Sequence, residues 1–172
     1  MAEKKKIGIL GASGYTGAEL VRLLLRHPRV EIAVLTADRR AGQLMGDVFP
    51  QFAPYDLPRL VTIDEIDWAK AKLDLVFCAL PHATTQKVLK DLLAKAPDTK
   101  VVDRSEAFRL EDPAAYAKGH GHDPPAHALQ TEAVSGLSEL SRRDRQKDTL
   151  VALAGSSTHP ARVTCATLSS RS

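Results

Sequence analysis

Three glycines at a fixed spacing, in Gly11-Ala12-Ser13-Gly14-Tyr15-Thr16-Gly17, lie between a short β-like run and an amphipathic stretch. No other feature restricts the fold of this chain so tightly. The run before them is Lys6–Leu10; after them, Tyr15–His27 sets Leu20, Val21, Leu24 and Leu25 on one helical face. Pro28 stops that helix, because proline disfavours helical geometry in the residue before it. Val30–Thr36 then supplies a second, β-branched strand. Strand, glycine turn, helix and strand follow one another within about 30 residues, the length of a βαβ unit. In such a unit the first glycine permits the tight turn, the second lets backbone approach a pyrophosphate, and the third lets helix and strand pack closely. The helix start adds unpaired N–H groups and a positive dipole end. The bare spacing is a weak signal, but its place inside a βαβ unit points to a dinucleotide site over a purely structural turn.

The rest of the chain repeats the alternation. Ala37–Pro58 holds two glycines and three prolines and reads as loop with at most a short helix. Leu60–Ile63 is a small strand, and Asp64–Lys72 a helical turn carrying Trp68. Leu73–Leu80 is the most apolar run and the best candidate for a central buried strand. Pro81 ends it, Ala83–Ala96 is helical, and Lys100–Asp103 is another strand. This order predicts the α/β class, a Rossmann-like doubly wound parallel sheet with helices on both faces. Beyond it, Glu106–Gln130 has weak periodicity, Val134–Lys147 reads as a helix and Thr149–Leu153 as a last strand. From Gly155 onward eight of eighteen residues are Ser or Thr and none is acidic, too little apolar surface to order a segment. The expected organisation is a dinucleotide-binding domain over 1–153 and a disordered tail over 154–172.

Charge and composition exclude several partners. Lys and Arg number 24 against 21 Asp and Glu, a net charge of +3 without a basic arm, so nucleic acid is not an expected partner. No apolar run is long enough to span a membrane. The charged start Met1-Ala-Glu-Lys-Lys-Lys6 is not a secretory leader, which points to the cytoplasm and leaves organelle import open. Cys78 and Cys165 have no metal-ligand spacing. His120, His122, Asp123 and His127 lie among prolines with no element to aim them, and no metal site is expected. Arg142, Arg143, Arg145 and Lys147, with Asp144 and Asp148, read as a solvated helix end.

The end of the second strand bears on cofactor choice. A NAD site usually offers an acidic side chain to the ribose hydroxyls at this point. Here Thr36 is followed by Asp38 and then by Arg39 and Arg40. Two guanidinium groups suit a 2′-phosphate better than a free hydroxyl, which favours NADP; the alternative is that both are solvated loop charges.

With these residues in view, the chain resembles the N-acetyl-gamma-glutamyl-phosphate reductase family of arginine biosynthesis. The resemblance rests on Ile7–Leu25 (IGILGASGYTGAELVRLLL), Leu35–Gln43 (LTADRRAGQ), Val48–Pro50, Val76–Gln86 (VFCALPHATTQ) and Phe108–Tyr116. It covers residues 6–153, most closely as far as 103. It implies NADPH-dependent reduction of an acyl phosphate to a semialdehyde. In that chemistry a cysteine thiolate displaces phosphate and hydride then reduces the thioester. It also implies that Gly11, Ala12, Ser13, Gly14, Tyr15, Thr16, Gly17, Thr36, Arg39 and Arg40 bind the cofactor, and that Leu80, Pro81 and His82 line the nicotinamide pocket. For His82 a capping or solvent-facing role is the alternative.

The resemblance breaks at the nucleophile. The family's cysteine sits in an Asn-Pro-Gly-Cys-Tyr-Pro-Thr motif, whereas this chain reads Gly155-Ser156-Ser-Thr-His159-Pro160, with Ser156 in the cysteine's place. A serine hydroxyl is hardly ionised near neutral pH. The substrate domain that follows in the family is absent from this sequence, so no catalytic residue is assigned. The expectation is a chain that binds NADP without catalysis on its own, pairing with a full-length subunit or with itself. The aminoadipyl-phosphate reductases of lysine biosynthesis, and a non-catalytic regulatory fragment, are the alternatives.

Overall fold

The computed structural model describes residues 3–105, 133–135 and 149–153. In chain order its elements are β1 (Lys5–Leu10), α1 (Tyr15–Leu24), β2 (Val30–Thr36), α2 (Met45–Val48), β3 (Leu60–Val61) and α3 (Trp68–Ala71). Then come β4 (Leu75–Cys78), α4 (His82–Lys95), β5 (Lys100–Asp103), β6 (Val134–Ser135) and β7 (Leu150–Ala152). The strands form one sheet in the order β3-β2-β1-β4-β5-β7-β6, and every described pair is parallel. The chain steps outward from β1 in one direction to β2 and β3, and in the other to β4 and β5. The gap between β1 and β4 is therefore the topological switch point, where open α/β sheets hold ligands beyond the carboxyl ends of their strands.

Side chains alternate across the sheet and divide the core in two. Ile7 and Ile9 of β1 pack with Ala18 and Val21 of α1, Leu35 of β2, and Met45 and Phe52. On the other face Leu10, Val76 and Val101 pack with Trp68 of α3 and with Leu89 and Leu92 of α4. Helices thus cover both faces, as the doubly wound class requires.

Several boundaries differ from the sequence reading. The helix expected to run to His27 ends at Leu24, where the His27 N–H turns back onto the Leu24 carbonyl ahead of Pro28. The expected strand over Leu60–Ile63 keeps only two residues, because Ile63 opens a 3-10 turn (Ile63–Glu65) whose Thr62 N–H and hydroxyl both bond Glu65. The central strand is confined to Leu75–Cys78. The irregular stretch after Ala37 supplies Met45 and Phe52 to the core, although it has no periodicity to announce them. Val134–Ser135 is not the start of a helix: it pairs with Val151–Ala152 as an edge strand, where ladder bonding outweighs local periodicity. The remainder of that expected helix, Glu106–Gln130, the His120/His122/Asp123/His127 group, the arginines after residue 141 and the tail lie outside the described residues.

One residue ties the amino ends of three strands together. Asp74 accepts from Lys5 Nζ at 2.6 Å and from the Lys6 N–H at 2.8 Å, while its own N–H donates to the Lys6 carbonyl at 2.9 Å. Its carbonyl accepts from the Lys100 N–H at 3.1 Å. The Lys5 and Lys6 hydrogen bonds hold its carboxyl below the ordinary carboxylate range. A group whose folded pKa lies below its unfolded value stabilises fully above that unfolded value, about 3.9, and ceases to do so as pH falls through the depressed one. Asp74→Asn should lower the thermal midpoint at pH 7 and flatten its fall below about pH 4. Thermal unfolding followed from pH 2 to pH 7 checks this, and an acid limb as steep as the parent's would count against it.

Candidate functional site

The glycine turn leaves β1 at the switch point, and each glycine answers to a different constraint. Gly11 has φ +79°, and a Cβ there would lie 2.7 Å from the Ala79 carbonyl oxygen. A Cβ on Gly17 would run into the Gly11 carbonyl and lie 2.6 Å from Ala12 Cα. The fold itself therefore demands glycine at both positions. Gly14 is different: its φ is −86°, and a Cβ would meet only Gly11 O, at an ordinary 3.5 Å. Nothing in the described fold requires glycine at Gly14.

Neighbouring strands hold the turn. Gly11 N–H donates to Thr36 Oγ1 at 3.0 Å and Ala12 N–H to the Thr36 carbonyl at 2.8 Å, so Thr36, itself buried, supports the turn from the end of β2. From the other side Ala79 N–H donates to the Leu10 carbonyl at 2.9 Å. Gly14 caps α1 without a side-chain hydrogen bond, and Ala18 N–H is the first to reach back, to Gly14 O at 2.9 Å. The N–H groups of Tyr15, Thr16 and Gly17 thus have no acceptor within the helix, and they form the positive end of a ten-residue dipole. The Tyr15 ring stands 92% exposed beside them.

The other residues expected in the site collect along the same carboxyl edge. Leu80 and Pro81 follow β4 directly, Leu80 Cδ2 lies within reach of Gly11, and His82 is the first residue of α4. Arg39 and Arg40 are one strand further out, on a turn after β2 closed by Ala41 N–H to Asp38 O and Gln43 N–H to Arg40 O, both 3.2 Å. Both arginines are exposed, and among the described residues neither has a carboxylate partner.

A family model described as the semialdehyde dehydrogenase, NAD binding domain, matches residues 6–148. The chain belongs to that family. It therefore carries a nicotinamide-cofactor domain, built around the turn at Gly11. It is 74% identical to N-acetyl-gamma-glutamyl-phosphate reductase of Afipia carboxidovorans, over 98% of this chain and 46% of that protein. It is 51% identical to the enzyme of the same name from Rhodospirillum rubrum, over 90% of this chain and 44% of that one. The chain thus spans a little under half the length of the curated relatives it matches. Aspartate semialdehyde dehydrogenase with NADP from Candida albicans shares the fold, with a TM-score of 0.60 at 19% identity over 90% of this chain and 44% of that one.

The semialdehyde dehydrogenase domain also buries a polar cluster that the sequence reading did not find. Asp103, at the end of β5, is fully buried; its Oδ1 accepts from the Ser105 N–H at 2.9 Å and its Oδ2 from Ser105 Oγ at 2.7 Å. The Asp-x-Ser spacing is its one sequence signal, a side chain folding onto the backbone two residues on. Asp103 pairs in register with Cys78, whose thiol lies 3.9 Å from Thr85 Oγ1. Burial, followed by the Asp103 charge, pushes the Cys78 thiol up to about 12. Cys78 is thus a small core residue; Ser156 and Cys165 lie outside the described residues.

Two outcomes follow from this geometry. Gly17→Ala should cost stability by about 1–3 kcal/mol or more through overpacking, whereas Gly14→Ala should leave the unfolding midpoint nearly unchanged and weaken nicotinamide-dinucleotide binding. Equal destabilisation by the two would remove the distinction. Cys78 should resist iodoacetamide at pH 8 in the folded chain and react after denaturation, as read by peptide mass mapping; rapid labelling of the native chain would contradict its burial.

Proposed function

We propose that this chain is the NADP-binding portion of an N-acetyl-gamma-glutamyl-phosphate reductase, with the cofactor domain over 1–153, acting in the cytoplasm. The observation that carries the cofactor reading is Gly14, a glycine that the fold leaves room to replace, set beside three N–H groups with no helical acceptor. A phosphate diester approaching from that side would meet the N–H groups of Tyr15, Thr16 and Gly17 and the backbone of Ala12, Ser13 and Gly14. A Cβ at Gly14 would stand in its path.

NADPH is favoured over NADH by the turn after β2. Asp38 could serve a free ribose hydroxyl, but two arginines follow it on a closed turn, and the planar guanidinium matches phosphate geometry. Leu80, Pro81 and His82 would border the nicotinamide, which supplies hydride when bound. Acyl-phosphate reduction needs a thiolate. Cys78 cannot serve, since its thiol is buried and its pKa is about 12. Ser156 stands where the reductase family has its nucleophile. The chain alone therefore holds the cofactor without turning over an acyl phosphate, and a full-length subunit would supply the chemistry.

Titration of the purified chain with NADPH and NADH tests this reading. Saturable binding that prefers NADPH, with the preference lost in Arg39→Ala/Arg40→Ala, is the expected result. Equal affinity for the two cofactors would refute the NADP assignment. Reduction of N-acetyl-gamma-glutamyl phosphate by the chain alone would refute the non-catalytic one.

A further inference from the structure

A third arginine reaches the turn that carries Arg39 and Arg40, and it enters from a different segment. Arg59 precedes the two-residue strand β3, and its Nη1 donates to the carbonyl of Gly42. Gly42 has φ +83°, a conformation that side chains rarely adopt, and it closes the turn. Its N–H donates to the Leu60 carbonyl at 2.7 Å, and Leu60 N–H returns to the Gln43 carbonyl at 2.9 Å. Within the turn the only other side-chain hydrogen bond among the described residues is a long one, Arg40 Nη1 to Gln43 Oε1 at 3.5 Å. The turn is thus seated on β3 by two backbone bonds and one charged side chain, while β3 meets β2 through only two register pairs. A strand that short gives a weak seat. The guanidinium bond to Gly42 is charge-assisted and, unlike the long Arg40–Gln43 contact within the turn, it ties the turn to another segment.

We propose that Arg59 is a positioning residue for recognition of the adenosine 2′-phosphate: by holding Gly42 it fixes the 38–43 turn so that Arg39 and Arg40 are presented together. The proposal rests on the NADPH reading above. Two exposed arginines on a loose turn would lose side-chain and backbone freedom on binding a phosphate, which lowers affinity; a pre-seated turn avoids that loss. The effect belongs to the 2′-phosphate alone, because the pyrophosphate is met at the glycine turn, on the far side of β2. Arg59 is exposed, so its removal leaves no buried group unpaired.

The test is a pair of NADPH and NADH titrations on the full chain, its Arg59→Ala and Arg59→Lys variants, and Arg39→Ala/Arg40→Ala. Hydrogen exchange over residues 40–43 is measured without cofactor. Arg59→Ala should weaken NADPH on the order of 5- to 10-fold, the worth of one solvent-exposed hydrogen bond. It should leave NADH affinity and the unfolding midpoint unchanged, and speed exchange in the turn, with Arg59→Lys recovering part of both effects. Equal weakening of both cofactors, or exchange in the turn left as in the parent, would overturn the role. If the parent prefers NADPH and only Arg39→Ala/Arg40→Ala removes the preference, Arg59 falls and the NADPH reading stands. A parent with no preference overturns both.

Discussion

The close approach of three strand ends at Gly11 is the constraint on which the rest of this molecule depends. Chain leaving β1 must turn at once, accept support from Thr36 on one side, and pass the Ala79 carbonyl on the other. Only a residue without a Cβ and free to take φ +79° satisfies all three. Once that turn is made, α1 starts at the switch point with its first N–H groups unpaired within the helix, and the third glycine lets the helix lie against the turn's own backbone. The site is a consequence of how the sheet is wound, with few side chains committed to it.

Charge is distributed to match. Among the described residues the glycine turn carries no lysine or arginine and presents backbone N–H groups and a helix end, which act at short range and need no side-chain ordering. The basic side chains of Arg39 and Arg40 lie one strand away, at the turn after β2. Between the two regions stands Thr36, committed to the glycine turn. Beneath the β4 end the polar atoms of Cys78, Thr85, Asp103 and Ser105 are buried and paired with one another or with backbone, so that the wall of the crevice is firm and its thiol inert.

How much of this could be read from the chain depends on distance along it. Strands β2 and β5 were legible to the residue, and α1 and α4 to within a turn, because hydrophobic periodicity is local. The glycine turn was legible because a required φ and a required absence of Cβ both act on residue identity. Met45 and Phe52 were not legible as core, since a segment without regular structure has no period to betray its inward side. Val134–Ser135 was misread as helix because an edge strand of two residues is made by its partner, Val151–Ala152. Asp103 reads as an ordinary strand end; its burial follows from the strand order that sets β5 between β4 and β7, and its carboxylate is met by Ser105.

The βαβ unit, its turn and the parallel class are written in the residues, since each follows from short-range sterics and from burying one face of each element. It takes the assembled sheet to show that β4 lies beside β1, that Gly11 meets Ala79, that Cys78 lies beside a buried carboxylate, and that Arg59 reaches across 17 positions to Gly42. Those contacts depend on strand order, which is set by the packing of whole faces against one another, and no local pattern of residues carries that information.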